Sequence, residues 1–324
     1  MQRRQFLQCG AAAALAASGL VRAQGPWPQK PIRLVVPFPP GGGTDATSRL
    51  IAEKLTTLAR WTLVVDNKPG AGGNIGLDMV AKAAPDGYTI GMGQAANLAI
   101  NPGLYPKMPF DPLKDFTAIA GVAAQPVVLV VRKDAPFRAL ADFLQQARAR
   151  SGEMGIAQAG NGTVGHLAGE MLARRAGVRV MQVPYKGAGP AMNDLLGGQV
   201  PAYFGNAVSV MPQLAAGSIR ALAVTSAQRL SALPSVPTVA EQGFAGFEAT
   251  TWLGLVAPAG LPADITAKLS ATTLQVLARA DVQQRLKQEG SVATPTSPTA
   301  FAAHIRAEHA KWGALIREAQ IKLS

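Results

Sequence analysis

Short β-branched runs alternate along the chain with stretches in which apolar residues recur every three or four positions, the order in which α/β domains are written. The first unit predicts a strand over 32–38, a Pro39-Pro40-Gly41-Gly42-Gly43 loop, and a helix capped by Thr44 or Asp45, with Leu50, Ile51, Leu55 and Leu58 along its apolar stripe. A strand over 63–65 then leads through the glycine-rich stretch 68–74 into a helix over 75–83. A Pro85-Asp86-Gly87 turn and a strand over 88–92 follow.

The same grammar restarts after Pro126. Strands are predicted over 127–131 and 154–157, with a helix over 140–150 between them. A loop over 158–162 leads into a helix capped by Thr163 that carries Leu167, Met171 and Leu172 on one face. Further strands fall at 180–184, 202–204 and 221–225, with helices at 190–196 and 210–214. After the proline-rich passage 233–238 come a strand over 252–257 and two C-terminal helices expected to return to the first domain. The pattern predicts two α/β domains of parallel character, 27–125 with 250–324 and 126–249. More than one connecting strand would restrict them to opening and closing about a cleft.

Composition narrows the class. Of 324 residues 48% are apolar and 15% charged, against a usual charged share of about 25%, and there are 34 Gly and 24 Pro. Disorder and coiled coil are excluded. The N-terminus reads as an export signal over 1–23: Arg3-Arg4-Gln5-Phe6-Leu7 opens it in the twin-arginine manner, an apolar stretch follows over 10–21, and cleavage falls after Ala23. The expected location is therefore the periplasm. Cleavage would remove Cys9, the only cysteine, and with it any disulfide or thiol chemistry. The formal charge is +12, and loss of Arg3, Arg4 and Arg22 leaves +9. The basic residues are scattered, without the basic helix or aromatic strip of a nucleic-acid binder, so the expected partner is a small anion and not a nucleic acid.

In parallel sheets ligands bind at the carboxyl ends of strands, where loops feed helix N-termini. Gly41-Gly42-Gly43-Thr44 and Gly160-Asn161-Gly162-Thr163 occupy such places, one in each predicted domain, and both suit an oxyanion. The threonines can donate to a ligand or serve only as caps. Enzyme motifs fail: the first loop lacks the lysine of a phosphate-binding loop, the glycines of 70–76 miss the dinucleotide spacing, and no nucleophile elbow occurs. His304 and His309, five apart on a helix, splay too far to clamp a metal and read as surface residues. His166 stands one turn into the helix after the second loop, as a ligand contact or as a satisfied structural histidine. No catalytic residue, cofactor or metal site is expected.

Several strings resemble one family. They are Lys30-Pro31-Ile32-Arg33-Leu34-Val35-Val36-Pro37-Phe38-Pro39-Pro40-Gly41-Gly42-Gly43-Thr44-Asp45, Pro69-Gly70-Ala71-Gly72-Gly73-Asn74-Ile75-Gly76, Ala84-Pro85-Asp86-Gly87-Tyr88-Thr89 and Val183-Pro184-Tyr185-Lys186-Gly187, with others following in order to Glu241. The chain is similar along essentially its whole mature length to the Bug/TctC family, extracytoplasmic solute receptors of tripartite tricarboxylate transporters. The resemblance implies a two-domain Venus-flytrap periplasmic binding protein, type II-like, with the ligand cleft between its lobes. It also implies capture of a small carboxylate and delivery to the transporter's membrane subunits by a monomeric receptor.

Carried over, it points to Phe38, Gly42, Gly43, Thr44, Asn74, Gln94 and Ala95 on one side of the cleft. On the other it points to Gln158, Asn161, Gly162, Thr163, His166, Gly205 and Asn206. Gly205-Asn206 stands where many members have Asp-Asn, and Ala157-Gln158-Ala159-Gly160 replaces a run richer in hydroxyls. Loss of an acid there disfavours an amino-acid ligand and favours a plain or aromatic carboxylate or a dicarboxylate. Tyr185 and Lys186 stand either at the cleft or at a hinge or surface position. Two alternatives are an orphan periplasmic sensor domain and an exported enzyme using the same anion holes.

Overall fold

Every β-branched run named above becomes a strand, and their arrangement is what places the two glycine loops opposite one another. The structure, a computed structural model, describes residues 27–322; the leader read over 1–23 lies outside the described residues. Residues from Pro31 onward form one unit, and the few described residues before it belong to another.

In the first half, β1 (Ile32–Val36) is flanked by β2 (Leu63–Asn67) and β3 (Thr89–Gln94), all parallel. α1 (Gly43–Ala59) connects β1 to β2, and α2 (Asn74–Ala81) connects β2 to β3. In the second half, β5 (Gly155–Gln158) lies between β6 (Met181–Pro184) and β7 (Ala202–Asn206), again parallel. Around it run α4 (Leu140–Ala149), α5 (Val164–Ala176), α6 (Ala188–Leu196) and α7 (Ala207–Ala215).

Two long strands join the halves, and here the structure departs from the purely parallel expectation. β4 spans Phe116–Arg132, beginning well before the strand predicted at 127. Through residue 126 it pairs antiparallel with β9 (Thr250–Pro258) and β10 (Val292–Thr296); from Val127 onward it pairs antiparallel with β7 and β8 (Ile219–Val224). Pro126, which donates no ladder hydrogen bond, sits where the strand changes partners, a position a central strand can give to proline. β9 in turn pairs with β3, so the sheet order β2-β1-β3-β9-β4-β7-β5-β6 is continuous.

Further elements went unpredicted, β10 among them. Residues 96–104 are helical, a wide turn over Ala96–Ile100 followed by α3 (Asn101–Leu104). The C-terminal region holds three helices where two were expected: α8 (Ala263–Ala278), α9 (Ala280–Gln288) and, after β10, α10 (Pro298–Glu318). α10 packs on β4 and on the 96–104 segment, burying Phe301, Ile305, Trp312 and Ile316. His304 stacks edge-on against Trp252 with ring centroids 4.9 Å apart, on a helix face that also meets solvent. Among the described residues no helix is long and apolar enough to cross a membrane.

Candidate functional site

The first wall is built by the turn that ends β1. Gly41 takes a positive φ of 81°, a conformation that suits glycine, and turns the chain so that α1 starts at Gly43. The cap position is Gly42 and no side chain caps the helix, which corrects the expectation of Thr44 or Asp45 in that role; both lie buried in the first turn. The Asp45 carboxylate accepts from the Gly41 N–H at 3.0 Å, from Arg49 at 3.0 Å and from Asn67 Nδ2 at 2.9 Å. Burial alone would raise its pKa, yet these donors together hold it below the usual carboxylate value. Its charge is thereby spent on the loop. The N–H groups of Gly43 and Thr44 have no intrahelical acceptor, the first such bond running from the Ala46 N–H to the Gly42 carbonyl, and they carry the positive end of the helix dipole.

The second wall comes from the loop after β5. Thr163 is the N-cap of α5, as predicted: its Oγ1 accepts from the His166 N–H at 3.4 Å and donates to the Gly160 carbonyl at 2.7 Å. His166 is buried and accepts from the Gly162 N–H through Nδ1 at 3.3 Å, and burial drops its pKa to about 4, so the ring is neutral. Gln158 likewise serves the loop, its Oε1 accepting from the Gly160 N–H at 3.0 Å. The amides that remain without an intrahelical acceptor in the first turn of α5 are those of Val164 and Gly165. Gly165 is required by close approach: a Cβ there would lie 2.6 Å from the Phe204 carbonyl oxygen of β7.

Both helix ends line one cavity of about 50 Å³ between the halves. Of the fourteen residues singled out from sequence, Phe38, Gly42, Gly43, Thr44, Gln94, Thr163 and Asn206 line it. The others do not. Asn74 accepts from Asn101 Nδ2 at 2.7 Å within the first half, Ala95 is buried, Gly205 lies beneath the Tyr203 ring, and Gln158, Gly162 and His166 hold the second loop. Asn161 lines an outer recess of about 470 Å³ that shares Phe38, Pro39, Ala159 and Gly187 with the cavity. Tyr185 and Lys186 belong to that recess, with the Tyr185 hydroxyl donating to Asp194 Oδ2 at 2.7 Å.

Sequence reasoning missed Gly165, Tyr203, Phe204, Ser209 and Thr251, all on the wall. Thr251 fixes the orientation of Asn206. The Gln125 amide nitrogen donates to the Gly43 carbonyl at 3.0 Å and to Thr47 Oγ1 at 2.8 Å, which leaves Gln125 Oε1 to accept from Asn206 Nδ2 at 3.2 Å; Asn206 Oδ1 then accepts from Thr251 Oγ1 at 3.0 Å. Among the described residues no Asp, Glu, Lys, Arg or His side chain lines the cavity, so its polarity comes from helix ends, amides and hydroxyls.

The model of the tripartite tricarboxylate transporter family receptor, TctC, matches residues 47–321. The chain belongs to this family. Protein BugT of Bordetella pertussis (strain Tohama I) is 36% identical over 298 residues, covering 92% of this chain and 91% of BugT. Among solved structures, an R. palustris protein with adipate superposes with a TM-score of 0.89 at 37% identity, covering 92% of this chain and all of that one. MatC of Rhodopseudomonas palustris, with bound malate, does so at 0.84 and 33% identity, covering 90% of this chain and all of MatC. The fold is thus the two-lobed α/β architecture of TctC-type periplasmic binding proteins.

Proposed function

We propose that this chain captures a small carboxylate between its halves and presents it to the membrane subunits of a tripartite tricarboxylate transporter. The observation that carries this reading is the convergence of two helix N-termini, Gly43-Thr44 and Val164-Gly165, from opposite halves onto one cavity without an acidic side chain. Each helix end supplies N–H donors and about half a positive charge, a field that favours a carboxylate and repels an ammonium. The residues proposed to meet the ligand are Phe38, Gly42, Gly43, Thr44, Gln94, Gly165 and Asn206, while Asn74, Gln158 and His166 shape the loops around them. Adipate and malate in the two R. palustris relatives support a carboxylate here.

The protein acts as a monomeric periplasmic receptor, exported by the signal over 1–23 and cleaved near Ala23, and it binds its ligand without chemical change. Support for a non-catalytic role lies in the family itself, whose members are transporter receptors. A thermal-shift screen of the purified mature protein against mono-, di- and tricarboxylates, aromatic acids and amino acids tests the reading. A ligand at 100 times its dissociation constant adds about 2.7 kcal/mol of stability. Stabilisation by carboxylates is the expected result; stabilisation by none of them, or turnover of one, overturns it.

A further inference from the structure

We propose that a second cavity, on the face of β9 turned away from the cleft, binds an arylalkyl ammonium. It measures about 310 Å³ and lies where β4, β9, β10 and α10 meet. That is the lower end of the range for ligand sites, roughly 300 to 1,000 Å³. Alternation along β9 separates it from the carboxylate site. Thr250 and Trp252, with Glu248 just before the strand, fall on one face and line this cavity. Thr251, between them, points the other way and donates to Asn206 at the cleft.

The lining combines aromatic surface with one uncompensated charge. Gly121 and Gly254 stand opposite each other on β4 and β9, and a Cβ at Gly254 would collide with the Phe301 ring, so glycine there lets the ring lie on the sheet. Trp252 packs edge-on to Phe301, with centroids 5.8 Å apart, and to His304. Burial lowers the His304 pKa from 6.5, so at neutral pH that ring adds no positive charge. Glu308 accepts from Trp252 Nε1 at 3.1 Å, Trp312 Nε1 at 2.8 Å and Lys311 Nζ at 3.1 Å. Burial would raise its pKa, yet Lys311 and the two indoles hold it below the usual value, and Lys311 balances its charge. Glu248 differs. In a chain of formal charge +12 its exposed carboxylate lines the same cavity and makes no ion pair or hydrogen bond among the described residues. A free carboxylate beside aromatic surface, with the Thr250 and Thr294 hydroxyls as further acceptors, favours an ammonium, while Ala124, Leu253 and Phe301 suit an aryl group. A carboxylate ligand would be repelled by Glu248, so the two cavities differ in the sign of charge they take.

Calorimetric titration of the mature protein with 2-phenylethylamine, and with 2-phenylethanol as its uncharged counterpart, tests the assignment. Saturable binding of the amine is expected, about tenfold or more tighter than the alcohol, as a charge-assisted hydrogen bond provides. Glu248→Gln should bring the amine down to the level of the alcohol and leave the ligand-free melting temperature unchanged, because the replaced side chain is exposed and unpaired. Glu248→Asp keeps the charge and should retain most of the affinity. No saturable binding of the amine, equal binding of the alcohol, or an amine affinity unaltered in Glu248→Gln would overturn the inference. A loss in Glu248→Asp as large as in Glu248→Gln would assign the effect to the fold and also count against it. None of these outcomes touches the carboxylate reading of the cleft.

Discussion

The Gln125 side-chain amide donates to the Gly43 carbonyl oxygen at 3.0 Å, linking the crossover strand β4 to the first turn of α1. A carbonyl can only accept, so this bond fixes which end of the Gln125 amide faces Gly43. The opposite end must then accept from Asn206, and Asn206 must in turn accept from Thr251. A backbone group in one half thereby sets which polar atom Asn206 offers in the other. Gln125→Leu should destabilise the protein by about 1 to 3 kcal/mol through lost and orphaned buried hydrogen bonds, read from urea unfolding. It should also weaken carboxylate binding although Gln125 does not line the cavity. Unchanged affinity would show that Asn206 keeps its orientation without the relay.

Gly165→Ala should weaken ligand binding more than its helix propensity suggests. Alanine favours helix over glycine by about 1 kcal/mol, yet the added methyl would press on the Phe204 carbonyl and push the end of α5 away from β7. Stability and affinity should both fall, as measured by thermal unfolding and titration. A gain in stability with full binding would contradict the packing described.

Thr163→Val separates a cap from a ligand contact. Its hydroxyl proton is committed to Gly160 and its oxygen caps α5. The expected cost is about 1 kcal/mol of folding stability, the usual value of a lost N-cap, with affinity reduced by no more than about threefold. A loss of affinity far above this would place the hydroxyl on the ligand.

His166 links stability to pH. Its folded pKa of about 4 lies below the ordinary 6.5 because burial disfavours the imidazolium. Between those values the unfolded chain binds a proton that the folded chain does not, so stability is full above about pH 6.5 and falls as pH drops toward 4, by roughly 3 kcal/mol over the window. Urea unfolding at a series of pH values should show this slope in the unmodified protein, and His166→Gln should lack that contribution. A slope unaltered by the substitution would assign the dependence to other groups.

The strand-loop-helix units were legible because their signals are local: β-branched runs, glycine at turns, and apolar residues at helical spacing. β4 was not, since its first part is Phe-Thr-Ala-Ile-Ala-Gly-Val-Ala-Ala-Gln, poor in β-branched residues, and Pro126 reads as a break when it marks only a change of partner. Asn101-Pro102-Gly103 is rich in poor helix formers, yet it folds as helix with α10 packed against it. The site followed the same division. Loops at the ends of β1 and β5 announced the two helix ends. Whether Asn74, Gln158 and His166 would face a ligand or their own loops depended on hydrogen bonds that spacing does not encode. Tyr203 and Thr251 reach the wall through strand register set far along the chain, and the one visible hint was the Tyr203 to Gly205 spacing.

β4 and β9 lie side by side where they pass between the halves, Pro126 opposite Thr250. The chain therefore reaches β5 to β8 and returns from them through neighbouring threads of one ribbon. A fluorescent reporter spliced into the exposed 150–153 turn would sit on the β5 to β8 side of that ribbon, and a dye on α10 on the other. Flexing of that ribbon alone would then modulate the optical signal, which makes this topology a ready frame for an anion biosensor.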